Sequence, residues 1–191
     1  MSFAQSPENY SSFSRTLAFE EDFLDNENEW RTFYSKVKKG RYVVETIGKD
    51  DAVLTTIPVN VDNSRNYDIE TTVSMQWNRS GELMGFTWNA DNKNGYFIGF
   101  NKNQNLVIFK MNDGAFDVLM NDSASSVIRP VYEKNLITVR KYNEGFFVFV
   151  NKTLVGAFDN SMPFRDTFGY FVGRASELRV TGLQIHYLGN P

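Results

Sequence analysis

The chain has 191 residues, 41% hydrophobic and 23% charged, with a net charge of −3, a balance that suits one globular domain and excludes a disordered or collagen-like polymer. The acidic excess argues against a basic nucleic-acid footprint. No cysteine is present and the histidine is single, His186, which removes thiol nucleophiles, disulfides, cysteine-based zinc sites and multi-histidine metal centres.

Residues 1–16 are rich in Ser and Asn and read as a polar arm, leaving 17–191 as the folded domain. The segment Ser2-Phe3-Ala4-Gln5-Ser6 resembles the end of a bacterial secretory signal, although the first twenty residues hold no apolar signal core. The chain as written therefore reads as a soluble cytoplasmic protein, or as an exported protein whose signal is gone. No apolar run approaches the roughly 20 residues that span a membrane as a helix, so no membrane insertion is expected.

From Leu17 onward the apolar residues recur with period two. Leu17–Phe23, Arg41–Thr46 and Ala52–Val59 are the early strands. Between Tyr67 and Trp77 the odd positions are mostly apolar and the even ones polar, the pattern of a strand packed on one face. Leu83–Ala90 and Tyr96–Asn101 follow, joined through Asn94-Gly95, and then Leu106–Met111 and Ala115–Met120, joined by Asp113-Gly114. Leu136–Tyr142, Phe146–Asn151 and Thr153–Phe158 turn at Asn143-Glu144-Gly145 and Asn151-Lys152. Asn-Gly and Asp-Gly pairs supply the positive φ of tight hairpins, so the middle of the chain is expected to be a continuous antiparallel meander. Phe168–Gly173 and Leu178–Tyr187 close the domain. In the last strand the apolar phase switches between Val180 and Leu183, which predicts a β-bulge at Thr181-Gly182. Phe146–Val150 is apolar in both phases and reads as a strand buried on both faces or one meeting a partner. Helix is nearly absent; the expected fold class is all-β, a two-sheet antiparallel sandwich.

Several segments resemble concanavalin A-like jelly-roll domains. Phe19-Glu20-Glu21-Asp22-Phe23-Leu24-Asp25-Asn26 with Trp30 resembles their first strand and turn. Gly85-Phe86-Thr87-Trp88 with Asn94-Gly95-Tyr96-Phe97-Ile98-Gly99-Phe100 resembles their central hairpin. Asn135-Leu136-Ile137-Thr138-Val139-Arg140, Phe147-Val148-Phe149-Val150-Asn151 and Phe168-Gly169-Tyr170-Phe171-Val172-Gly173 resemble the strands that follow. Similar patterns occur in laminin-G-like lectin modules, family 16 glycoside hydrolase-like domains and the bacterial domain of unknown function 1080. The resemblance spans most of Leu17 to Tyr187 and implies a jelly roll that handles carbohydrate, by binding or by cleavage; such motifs specify fold better than activity.

Retaining glycosidases of this type carry a Glu-x-Asp-x-Glu strand, which aims alternate carboxylates into one cleft. The nearest match, Asn66-Tyr67-Asp68-Ile69-Glu70, begins with an amide that cannot form a glycosyl ester. If the chain is an enzyme, Asp68 and Glu70, or Glu82 and Asp91, are its acid/base carboxylates; otherwise Asp68 and Glu70 belong to the wet face of an ordinary strand. His186 alternates with Ile185 and Tyr187 and points away from their face. There is no Gly-x-Ser-x-Gly elbow, no phosphate loop and no cofactor motif. Asp22, Asp25 and Glu27, or Asp113 and Asp117, are the acidic groups from which a structural calcium site would be built.

Binding fits the residues better. Sugars stack on aromatic faces while amides and charged groups hold their hydroxyls. Trp77 beside Arg79, Trp88 beside Asn89, and Tyr96 and Arg174 near strand ends form the candidate ligand rim. Trp77 shares the phase of Val73 and Met75, and Trp88 that of Met84 and Phe86, so both indoles have a competing role in the core. Lys36, Lys38, Lys39 and Arg41 flank Gly40 and suit a phosphate, an acidic glycan or simply a solvated turn. The expected function is carbohydrate recognition, with a glycoside hydrolase and a protein-interaction module as the other readings.

Overall fold

In a computed structural model of the protein, residues 6–30, 32–47 and 52–189 are described. Ser2 to Gln5, the bulk of the signal-like segment, lie outside that set.

Alternation and turn chemistry produce fourteen strands among the described residues: β1 (Ser14–Glu21), β2 (Ser35–Val37), β3 (Tyr42–Thr46), β4 (Val53–Pro58), β5 (Tyr67–Asn78), β6 (Met84–Trp88), β7 (Gly95–Phe100), β8 (Leu106–Asn112), β9 (Ala115–Asp122), β10 (Asn135–Tyr142), β11 (Gly145–Val150), β12 (Thr153–Asp159), β13 (Thr167–Val172) and β14 (Ser176–Gly189). No helix occurs among the described residues. The larger sheet runs β12-β11-β10-β5-β14-β3-β2, and the smaller runs β4-β13-β6-β7-β8-β9. Every pairing is antiparallel, and the molecule is a two-sheet jelly-roll sandwich.

The long β14 is the spine of the larger sheet. From Ser176 to Tyr187 it pairs with β5, its first half also with β3 and its second half with β1. The register slips between Val180 and Gly182, so the bulge expected from the phase switch is present. It keeps Leu178 and Val180 on one side of it, and Leu183 and Ile185 on the other, in the same core.

Turns follow the sequence rules where two residues suffice. Asp113 and Gly114 (φ 47° and 82°) and Asn151 and Lys152 (φ 49° and 70°) take the paired left-handed conformation of tight hairpins. The meander, in contrast, is interrupted. β6 to β9 belong to one sheet and β10 to β12 to the other, with the chain crossing over between Asp122 and Asn135. Asn94-Gly95 closes a seven-residue connection, residues 89–95, rather than a two-residue turn, since Trp88 pairs with Tyr96. Asp91 organises that loop by accepting from the backbone of Lys93 and Asn94.

Two aromatic groups fill the space between the sheets. Trp30 packs within 6 Å of Phe23, Tyr42 and Tyr170. Trp88 stacks on Tyr96 at 5.5 Å and meets Phe146 edge-on at 5.8 Å. Glu21, 5% exposed, holds the first group by accepting from the Phe23 amide and the Trp30 indole, which is the physical content of the Phe19–Trp30 resemblance.

Candidate carbohydrate-binding face

The structure separates the nominated rim residues. Trp88, Asn89 and Tyr96 are 1%, 2% and 0% exposed. They lie in the interior and not on a rim: the even phase of β6 and β7 faces the opposite sheet, and burying two large rings there outweighs presenting them to a ligand. The Asn89 amide instead donates to the Pro163 carbonyl and accepts from the Arg165 amide.

Trp77 remains half-buried at the surface. The register slip between Glu177 and Leu178 lies opposite it and frees it from the core phase of Met75. Its indole N–H donates to Glu177 at 2.9 Å, Glu177 also accepts from Arg179 at 2.7 Å, and the Arg79 guanidinium lies 5.4 Å from the ring centre. Arg174 is exposed near the same strand ends and pairs with Glu82.

The four nominated carboxylates do not face one cleft. Asp68 is 0% exposed and accepts a two-pronged bond from Arg140 (2.8 and 3.0 Å) and another from Arg15 (2.6 Å). Glu70 accepts from Tyr10, from Arg15 and from Thr138. Burial pushes the Glu70 carboxyl upward, but the Tyr10 hydroxyl and the Arg15 charge outweigh that and hold it below its ordinary value. A general acid needs the opposite shift. Glu82 is held low by bonds from the Arg174 side chain and backbone, and Asp91 by its turn amides.

Asp68 is sealed, and Glu70 held, by a feature absent from the strand pattern. Residues 6–13 lie as a strap over the outer face of β5, β10 and β11. Arg140, fully buried, donates to the Pro7, Asn9 and Tyr10 carbonyls. Tyr10 packs on Phe149 at 5.7 Å and Phe13 on Tyr142 at 5.2 Å. The arm thus belongs to the folded body from Pro7 onward, and β11 is buried on both faces at Phe149 because of it.

Beyond the strap, the outer face of the larger sheet opens into a chain of shallow hollows. One of about 270 Å³ is lined by Phe33, Tyr34, Lys36, Val43, Glu45 and Ile47. The next, about 330 Å³, shares Lys36 and Val43 and adds Lys38, Lys39, Arg41, Glu177 and Arg179. A third, about 200 Å³, shares Arg41 and Arg179 and adds Ser74, Gln76, Tyr132, Lys134 and Thr181. Four strands, β2, β3, β14 and β5, are crossed, a width of roughly 14 Å at the ~4.8 Å strand spacing.

Three exposed aromatics on this face, Phe33, Tyr34 and Tyr132, escaped the sequence reading. Tyr132 is 73% exposed, has φ 72° and is fixed by its amide bond to the Met75 carbonyl. Phe33 is 93% exposed and packs edge-on against Tyr34 at 4.9 Å. A lone aromatic in a polar connection just ahead of a strand is the signal that marks Tyr132. Asp22 and Asp25 accept from the amides of Leu24 and Glu27 in their own turns. No cluster of three or more His, Asp or Glu suited to a metal occurs among the described residues.

The fold is that of the concanavalin A-like jelly rolls. The carbohydrate-binding module CBM66 from Bacillus subtilis superposes with a TM-score of 0.57 at 17% identity, over 74% of this chain and 85% of that one. An endo-1,3-β-glucanase (laminarinase) catalytic domain from Thermotoga petrophila gives 0.66 at 8% identity, over 93% of this chain and all of that domain. A xylan β-1,4-xylosidase from Bacillus halodurans gives 0.64 at 13% identity; 96% of this chain is matched to 40% of that enzyme. No protein-family model and no curated protein sequence matches the chain.

Proposed function

We propose that the protein is a carbohydrate-recognition domain whose binding surface is the outer face of the larger sheet. The observation that carries this reading is the continuous run of hollows across β2, β3, β14 and β5, bordered by aromatic rings and lined with amide, hydroxyl and guanidinium groups. Tyr132 and Trp77 are the stacking groups. Ser74, Gln76 and Arg179 are the hydroxyl partners, and Glu177 fixes both the Trp77 indole and Arg179. Arg79 and Arg174 stand at the border of this surface. Structural likeness to a carbohydrate-binding module and to glycosidase domains supports a sugar ligand. Binding is favoured over cleavage because Asp68, Glu70, Glu82 and Asp91 are each committed to an arginine.

Isothermal titration against soluble β-glucans, xylans and host-type glycans tests the reading. Binding to at least one, weakened about tenfold or more by Tyr132→Ala or Trp77→Ala with the melting temperature of Tyr132→Ala unchanged, is the expected result. Heat-silent titrations throughout would remove it.

A further inference from the structure

We infer that the ligand is an anionic glycan, one bearing carboxylate or sulfate groups; this rests on the carbohydrate reading above. The argument is electrostatic. In a chain of net charge −3, the two hollows centred on β3 and β14 are lined by six cations, Lys36, Lys38, Lys39, Arg41, Lys134 and Arg179, against one carboxylate, Glu177. Glu177 is spent on Trp77 and Arg179, and Lys36 stands 3.9 Å from Glu45. No carboxylate among the described residues lies within ion-pair distance of Lys38, Lys39, Arg41 or Lys134. Leaving four like charges side by side costs self-repulsion, which an anionic ligand reverses into attraction.

Local structure presents these charges rather than scattering them. Lys39 and Gly40 have φ of 53° and 67°, and the Lys38 amide bonds the Arg41 carbonyl, closing a tight β2–β3 hairpin. Strand pairing then sets Arg179 directly beside Val43, the apolar floor of the hollow. Arg41 and Arg179 thus share one hollow, offering planar donor forks of the shape that fits carboxylate and sulfate oxygens.

The opposite end of the same face has the reverse sign. Past Thr181 the next hollow is lined by Glu20, Glu21, Asp22 and Glu70. An extended phosphate backbone with uniform charge would run from attraction into repulsion there. A glycan with spaced anionic substituents, stacking a ring on Tyr132 and placing its charges over Arg41 and Lys38, meets only the favourable end.

The test is titration of the full chain with polygalacturonate, with dextran sulfate, and with neutral dextran and xylan, each at low and at physiological salt. One acidic polymer is expected to bind at least tenfold more tightly than the neutral ones, and to weaken as salt rises. Lys134→Gln and Lys38→Gln are each expected to shrink the acidic-to-neutral affinity ratio severalfold, and Tyr132→Ala to weaken the acidic polymer as well. The polygalacturonate and dextran sulfate arms distinguish carboxylate from sulfate. Neutral polymers bound as well as acidic ones would overturn this inference while leaving the carbohydrate reading intact. No polysaccharide bound at all would overturn both. Equal binding of duplex DNA and dextran sulfate, indifferent to Tyr132→Ala, would overturn it in favour of non-specific polyanion attraction.

Discussion

Arg140 and Asp68 sit opposite each other across β10 and β5, both at 0% exposure. A buried charge is tolerable only when its partners are complete, and here Arg15 and three strap carbonyls complete them. Arg140→Ala leaves Asp68 short of its buried partner and is expected to cost about 3–5 kcal/mol, read as a shift of the urea midpoint. Glu70 gives the pH dependence. Its carboxyl is held below the ordinary value, so it stabilises strap docking fully above that value and loses the contribution as pH falls through the lower folded value. Ring resonances of Tyr10 and Phe13 should move towards their free positions over that acid range, and Glu70→Gln should abolish the step. Trp88 shows the limit of residue-level patterning: its phase, shared with Met84 and Phe86, left rim and core both open, and the packing against Tyr96 and Phe146 puts it in the core. Trp88→Ala should cost about 3–5 kcal/mol in denaturant unfolding. Trp77 has an equally apolar phase, and only the register slip at Glu177 explains why it left the interior.

At the scale of elements, the strands were nearly all legible because alternation and Asn- or Gly-containing turns are local signals. β2 was not: its three residues, Ser35-Lys36-Val37, are too few for a period and lie in a basic segment. Pairing with β3 makes it a strand, and that contact is set by the Lys39-Gly40 turn. The bulge at Thr181-Gly182 was legible because one inserted residue inverts the side-chain phase. Glycines mark another element-level constraint. A Cβ on Gly169 of β13 would overlap the Thr55 carbonyl oxygen on β4. Gly169→Ala is therefore expected to destabilise by about 1–3 kcal/mol, the usual cost of overpacking, with the loss measured by guanidinium unfolding.

The whole molecule is closed by its ends. β1 pairs with the last half of β14, and the strap that precedes β1 covers the polar side of the sheet's other half. Removal of residues 1–13 should leave a cooperative thermal transition, since the core between the sheets contains none of the described ones, 6–13. It should also lower the melting temperature and expose the Asp68–Arg140 pair to solvent. Affinity for the glycan should persist, because the strap and the hollows occupy different parts of the face. A lost transition would show that the strap is required for folding.

The all-β class, the strand positions, the bulge and the candidacy of Trp77 all follow from the sequence, because side-chain period and turn chemistry depend on neighbours a few residues apart. Which aromatics meet solvent, how the strap disarms Asp68 and Glu70, and how Arg41, Lys134 and Arg179 come to share one surface depend on strand order. Strand order joins residues more than a hundred positions apart, such as Val43 with Arg179, and no local pattern encodes that proximity.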